Sequence, residues 1–401
     1  MDFLSLPLPV VCEILSKYLC ANELAFFDTA ICDKSLRSTL VDTIFLDKHF
    51  FFWTDEMAVK GECTTNYHSY SIRPFDLRLF LLWLWKRGVL VRKFKFMDFN
   101  NLQATSIAYF WERLSPRVVS EMHHFNLERL LEINDDDLQQ LCLRCYNTNF
   151  LNLAHCSLIT NDGIRFIALL KNLCALNVSN CNIGYDVLKY VAKNCVNLTY
   201  LWWDMLNGAY VVEPNQALGA SLYGLVDVLS ECNKELRLLS FQCQDFHSKF
   251  SVTPTTIAKI VSSFQLLTVL LLNGTMNFGD DGALEIGRGC PNLKVLGLRK
   301  LFGRITDVGV QNIGQGCPQL MELNLSGHTQ VYNFSISKLV GKCPRLSRMY
   351  LRGTNVSNWV FFNCRGIHFF FGDDHMRPVV DYPSERNGSD EFFDESFKTQ
   401  F

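Results

Sequence analysis

The sequence predicts an α/β solenoid, with a parallel sheet inside and helices outside, preceded by a small all-helical unit. Three observations carry this: a leucine spacing near 26 residues, a cysteine locked to the same phase, and a different helical texture in the first 45 residues. The leucine pattern is Leu-x-apolar. It occurs at Leu151-Asn152-Leu153, Leu176-Asn177-Val178, Leu201-Trp202-Trp203 and Leu239-Ser240-Phe241. It continues at Leu270-Leu271-Leu272, Leu296-Gly297-Leu298 and Leu323-Asn324-Leu325, and closes at Met349-Tyr350-Leu351. Successive intervals are 25, 25, 38, 31, 26, 27 and 26 residues, and five of the seven lie within one residue of 26. A fixed period in this range is the signature of a stacked repeat.

Two further features share the phase. Cysteine stands six residues before the first position of the pattern at Cys145, Cys195, Cys290, Cys317 and Cys343, and seven before it at Cys232. Three of these are Cys-Pro, with Pro291, Pro318 and Pro344. Glycine follows 12 or 13 residues after that position at Gly163, Gly282 and Gly309. The segments Ile159-Thr160-Asn161-Asp162-Gly163 and Ile305-Thr306-Asp307-Val308-Gly309 place capping side chains just before helices. Apolar spacing of three and four follows, as at Ile164, Ile167 and Ala168. The unit is therefore a strand, a turn, a helix and a return through cysteine. One such unit cannot bury its apolar face alone, so neighbours must stack. The pattern resembles the leucine-rich repeat in its cysteine-containing subtype. Eight clear repeats run from Leu151 to Asn358, and weaker ones are expected around Phe94–Phe99 and Leu131–Ile133.

The first residues read differently. Val11, Ile14, Leu15, Tyr18 and Leu19 mark one helix face. Asn22 and Asp33 can cap two more helices, with Leu24, Phe27 and Ile31, then Leu36, Leu40 and Ile44, facing inward. A core this small needs support from its surroundings or from a partner. The order Leu6-Pro7, Val10, Ile14-Leu15, Leu19, Leu24, Phe27, Ile31-Cys32 resembles the F-box motif. The expected domains are thus 1–45, the F-box-like unit; 46–130, an aromatic-rich helical linker and N-terminal cap; 131–358, the repeats; 359–372, a C-terminal cap; and 373–401, an acidic tail. The tail has eight acidic and three basic residues, a composition of disordered segments.

Composition limits the function classes. Lys+Arg number 38 against 40 Asp+Glu, so there is no global charge to favour nucleic acid or acidic lipid. The densest apolar run, Leu79–Trp85, is seven residues long, far short of a membrane span. Phe3–Cys12 imitates a signal-peptide core, but Asp2 precedes it and Pro7 and Pro9 interrupt it. A cytoplasmic or nuclear protein is expected, with its 16 Cys as thiols. Cys142-Leu143-Arg144-Cys145 imitates a metal or redox pair, yet Cys145 is already accounted for by the repeat phase. His155-Cys156 lacks further ligands at zinc-like spacing. No phosphate-binding loop, metalloprotease helix, nucleophile elbow or dinucleotide fingerprint occurs. No enzymatic chemistry, metal or cofactor is expected.

The resemblance implies a substrate-recognition subunit of a Skp/cullin/F-box ubiquitin ligase. Leu6, Pro7, Val10, Ile14 and Leu24 would hold a Skp-type adaptor, and through it a cullin. A protein substrate would be held by the concave face of the repeats. Strand alternation sends the leucines into the core and the residues between and after them to that face. These include Asn152, Asn177, Ser179, Ser240 and Leu271. The substrate-binding candidates are Trp202, Asp204, Gln242, Asn273, Arg299, Tyr350 and Arg352. Trp, Tyr and Arg are favoured at interface hot spots. The long intervals hold 207–220 and 245–255, loops that are a second choice for specificity. The alternative is a non-catalytic repeat scaffold or regulator whose F-box-like segment is only a cap.

Overall fold

The computed structural model describes residues 123–131, 133–204, 218–242, 252–275, 278–299, 305–357, 364 and 366–371, with backbone alone for 50–52, 93–96 and 218–221. The F-box-like unit and the acidic tail lie outside the described residues. The chain divides into two compact units, Met1–Leu198 and Thr199–Phe401.

In the first unit the strands are β1 (Phe50–Phe52), β2 (Lys93–Phe96), β3 (His124–Asn126), β4 (Phe150–Asn152) and β5 (Ala175–Asn177). They pair in parallel in chain order, without slippage of phase: Phe94 faces Phe125, Phe125 faces Leu151, and Leu151 faces Leu176. The second unit continues the pattern with β6 (Tyr200–Trp202), β7 (Leu238–Ser240), β8 (Val269–Leu271), β9 (Val295–Gly297), β10 (Glu322–Asn324), β11 (Arg348–Tyr350) and β12 (His368–Phe370). There Leu201, Leu239, Leu270, Leu296, Leu323 and Met349 form one row. All eight positions of the sequence pattern are therefore the central residues of eight strands, and each is buried.

The ladder reaches further toward the N-terminus than the leucine count indicates. A repeat was expected at Leu131–Ile133, but the strand lies at His124–Asn126. Phe125 and Leu127 take the core positions there, 26 residues before Leu151 and Leu153. Leu131 and Ile133 instead lie outside any strand, just before the helix Asp135–Arg144. The weaker repeat expected around Phe94–Phe99 coincides with β2, while β1 and β3 also fall within 46–130 and β12, paired to β11, falls within 359–372.

The helices start where the sequence places their caps. Asn134 and Asp137 form a reciprocal capping box, and Thr160, Thr253 and Thr306 each accept a first-turn N–H. The first helical residue also reaches sideways. Asp135 accepts from Thr160 N at 2.8 Å, Asp280 from Thr306 N at 2.8 Å, and Asp307 from Tyr332 N at 2.9 Å. Asn161 and Asn333 do the same for Gly184 N and Ser357 N. This ladder accounts for two of the three recurring glycines, while at Gly282 a Cβ would instead meet the ring of Phe278. A Cβ on Gly163 or Gly309 would lie 2.1 or 2.3 Å from the carboxylate of Asp135 or Asp280.

The helices end at the phased cysteines. Cys145, Cys195, Cys290, Cys317 and Cys343 are each the C-cap, donating their backbone N–H four residues back. All five are buried free thiols. Burial pushes the Cys145, Cys195 and Cys290 thiols up to about 12 and Cys343 to about 11, with Cys317 higher still. A cysteine fits because it is small and apolar enough for the core while its S–H can reach a carbonyl. Cys343 Sγ, for example, donates to Cys317 O at 3.4 Å.

Candidate functional site

The face of the sheet turned away from the helices carries every substrate-binding candidate of the sequence reading, and all seven fall in the second unit. They occupy two rows. Trp202 and Tyr350 are the third residues of β6 and β11. Asp204, Gln242, Asn273, Arg299 and Arg352 stand two residues further on, with Ser326 at the same step after β10. The pairing continues past the strand ends, since Gly274 N donates to Arg299 O at 2.6 Å and Gly327 N to Arg352 O at 2.7 Å.

The first four members of the second row form one hydrogen-bonded chain. Asp204 Oδ1 accepts from Ser240 Oγ at 2.6 Å and Gln242 N at 3.0 Å, and its Oδ2 accepts from Gln242 Nε2 at 3.1 Å. Gln242 Oε1 then accepts from Asn273 Nδ2 at 2.6 Å, and Asn273 Oδ1 from Arg299 N at 2.7 Å. A carboxylate accepts only, and a backbone N–H donates only. The two ends therefore fix the sense of both amides, whose NH2 groups all point toward Asp204.

The geometry has a local cause. In four other repeats the third strand residue is an asparagine that accepts the N–H two residues later: Asn126 accepts from Glu128 at 3.2 Å, and three more do so at a common distance. Asn152 does so from Ala154, Asn177 from Ser179 and Asn324 from Ser326, each at 3.0 Å. This is the Asx-turn chemistry of a short polar side chain. In β9 that position is Gly297. Asn273 of the preceding repeat lies over it instead, and a Cβ at 297 would come within 2.9 Å of the Asn273 amide. Asp204 plays the same part for Gln242 N beside Ser240.

Burial on this face exceeds what a solvated sheet surface would show. Trp202, Asp204, Asn273 and Tyr350 are buried, Gln242 and Arg299 are half-buried, and Arg352 is exposed. The aromatics stack along the face. Tyr200 lies 6.2 Å from Trp202, and Tyr350 lies 4.7 Å from Phe370 in near-parallel planes. Below Tyr350, Glu322 is wholly buried, with Oε2 2.9 Å from Arg348 Nη2. Burial lifts its carboxyl to about 7, against the pull of the Arg348 charge and the Tyr350 hydroxyl. Arg299 is held below its ordinary pKa by burial and then by the charge of Arg352.

No family model matches the chain. Among solved structures, the Rad7–Elc1 complex in yeast contains a chain similar over 92% of this one and 98% of its own length, at 12% identity and a TM-score of 0.40. An internalin (InlF) from Listeria monocytogenes is similar over 88% of this chain and 95% of its own, at 13% identity and a TM-score of 0.44. The fold assignment rests on the strand register and the phased core. The repeats are leucine-rich repeats.

The five adaptor-binding candidates, Leu6, Pro7, Val10, Ile14 and Leu24, lie outside the described residues, as do most of the two long-interval loops. Among the described residues no three His, Cys, Asp or Glu are grouped to hold a metal, and no helix is long and apolar enough to cross a membrane. The leucine-rich-repeat spacing alone located Trp202 and Arg299. It missed Glu322, Arg348 and Phe370, which share the face with Tyr350. The signal for the first two was the strand alternation one step before Leu323 and Met349. Phe370 carries no leucine pattern to announce it.

Proposed function

We propose that this chain is a non-catalytic protein-recognition subunit, the substrate receptor of a Skp/cullin/F-box ubiquitin ligase. The observation that supports recognition is the face built from Trp202, Tyr350, Arg299 and Arg352. It concentrates the residue types that dominate binding hot spots on a rigid strand ladder. The adaptor role rests on the sequence order from Leu6-Pro7 to Ile31-Cys32. The receptor performs no bond chemistry. It raises the local concentration of a target beside a ubiquitin-charged enzyme, so that transfer becomes effectively intramolecular.

The test has two arms. In the first, the intact chain is mixed with a Skp-type adaptor, and the complex is compared with that of a variant carrying charged residues at Leu6 and Pro7. Losing an apolar anchor costs ~2 kcal/mol, so the double change should weaken capture by well over about tenfold. In the second, proteins captured with the adaptor are compared for the intact chain and Tyr350→Ala, and loss of the captured target is expected. A second reading is a repeat scaffold without an adaptor. It is favoured by Pro9 and Ser35, which stand where an F-box often has an acidic residue and Trp. An intact chain that captures no adaptor where an ordinary F-box protein does would decide for the scaffold.

A further inference from the structure

Asn273 is followed by Gly274. In an Asn-Gly pair the backbone nitrogen of the glycine can attack the asparagine amide with little hindrance, because glycine has no Cβ. Two more such pairs, Asn207-Gly208 and Asn387-Gly388, lie outside the described residues. At 273–274 every group that the attack needs is already engaged. Gly274 N, the nucleophile, donates to Arg299 O at 2.6 Å. Asn273 Oδ1 accepts from Arg299 N at 2.7 Å, and Asn273 Nδ2, the leaving nitrogen, donates to Gln242 Oε1 at 2.6 Å. Asn273 is also buried, which keeps water from the amide. The two backbone groups of Arg299 therefore hold nucleophile and electrophile separately, and Gln242 holds the leaving group.

We infer that Asn273-Gly274 is a modification site, a latent deamidation site that the closed ladder keeps unreactive and that converts irreversibly once β7 to β9 part. In the opened chain Gly274 N loses its proton and bonds to Asn273 Cγ. The Cγ–Nδ2 bond breaks, and the nitrogen takes up that proton and leaves as ammonia. Water then opens the five-membered imide. Addition at Cγ gives aspartate, and addition at the main-chain carbonyl carbon gives isoaspartate, whose backbone runs through Cβ and Cγ. Neither product fits the closed ladder. Ionised aspartate only accepts. One of its oxygens can take Arg299 N, but the other meets Gln242 Oε1. Turning the Gln242 amide over would present that oxygen to Asp204 Oδ2, which now takes Gln242 Nε2 at 3.1 Å. Isoaspartate adds a methylene between two ladder bonds, Leu272 N to Gly297 O at 2.8 Å and Gly274 N to Arg299 O, so both cannot re-form in register. The fixed sense of the amide chain thus requires an asparagine at this position.

The experiment ages the full chain in mildly alkaline buffer, folded or unfolded in urea, and follows the peptide containing Asn273 by mass spectrometry for conversion of amide to acid. Conversion should proceed in urea and run at least about tenfold slower in the folded chain, the factor that a local opening cost of ~1.4 kcal/mol already gives. Gln242→Ala frees the leaving nitrogen without touching 273 or 274, and should speed conversion in the folded chain, its fold checked by circular dichroism. A second measurement needs no variant. In the intact chain, urea below the unfolding transition should speed conversion in step with hydrogen exchange at the Gly274 amide. The consequence is read on Asn273→Asp, which should lower the thermal midpoint, while Asn182→Asp, the same charge change at an exposed position, should leave it near that of the intact chain. Conversion at 273 as fast in the folded chain as in urea, or none in either, would overturn the latent site. Equal midpoints for Asn273→Asp and Asn182→Asp would overturn the claim that the product no longer fits.

Discussion

Replacing Asn273 by alanine removes two hydrogen bonds at once, the one it gives to Gln242 Oε1 and the one it takes from Arg299 N. At ~1 kcal/mol for each bond, and with a polar group left without its partner, the cost is roughly 2–3 kcal/mol. The structure also says how to return part of it. Other repeats place the acceptor within the strand, at Asn152, Asn177 and Asn324. Gly297 is the equivalent position, and it is absent from the left-handed glycines, so an L-residue fits its backbone. In the intact chain Gly297→Asn should be harmful, because its Cβ would sit 2.9 Å from the Asn273 amide and from Leu271 Cδ2. Overpacking of this kind costs ~1–3 kcal/mol.

In the double variant the amide is gone and only the flexible end of Leu271 must move aside, so the asparagine introduced at position 297 can accept the N–H of residue 299 as its counterparts do. The two changes should therefore couple, the double costing ~1–3 kcal/mol less than the sum of the singles. The thermal midpoint follows the total. Hydrogen exchange at the Arg299 amide follows the bond itself, and avoids treating a chain of two units as a single two-state transition. Exchange should accelerate in Asn273→Ala and slow again in the double variant. Additive costs, with the 299 amide as exposed in the double as in the single, would show that Asn273 does not substitute for the missing strand asparagine.

Three further outcomes follow from the same structure. The thiols Cys145, Cys195, Cys290, Cys317 and Cys343 should resist alkylation in the folded chain and react once it unfolds. Their pKa values are raised by burial, so the stability they contribute is whole below about pH 8.5 and declines as pH rises toward about 11 to 12. Glu322 is also raised, to about 7, so its contribution is whole below the ordinary carboxylate range, near pH 4, and is lost as pH climbs through about 7. Glu322→Gln should flatten the stability profile across that window by a few kcal/mol at most, on the order of 3, and an unchanged slope by thermal unfolding would count against the assignment. Gly327, at φ +86°, should cost about 1–2 kcal/mol when changed to alanine, read as a lowered midpoint.

The leucine spacing made the strand ladder legible because burial acts on one residue per repeat, and the period survives any change on the exposed positions. The same logic hid β3. Phe125 fills the leucine's place, and a phenylalanine in the right phase is invisible to a search for leucine. The recurring glycine was visible but its reason was not. Only the structure shows Asp135 and Asp280 occupying the space above Gly163 and Gly309. The left-handed corner after the strand was obscured for a different reason. It is glycine at Gly274, Gly327 and Gly353, but Arg129, His155 and Asn180 in the first unit. The conformation is imposed by the ladder, which ties each of Arg129 and His155 through its N–H to the next repeat, and so does not depend on glycine being there.

The candidate site was partly legible for a related reason. Alternation assigns residues to a face, so Arg299 and Arg352 could be placed on one side of the sheet from sequence alone. What alternation leaves out is how neighbouring rows share partners across strands. Gly297 reads as a gap in the Leu-x-Leu pattern, yet that gap lets Asn273 cross to the next repeat and hold the backbone of Arg299. Binding is strongest where the ordering cost has been met before the partner arrives. A guanidinium mounted on a backbone tied on both sides meets that condition better than one on a mobile loop. A stack of repeats supplies such mounting points one strand at a time. The polar chain from Asp204 to Asn273 therefore holds the backbone beneath Arg299 across three strand boundaries.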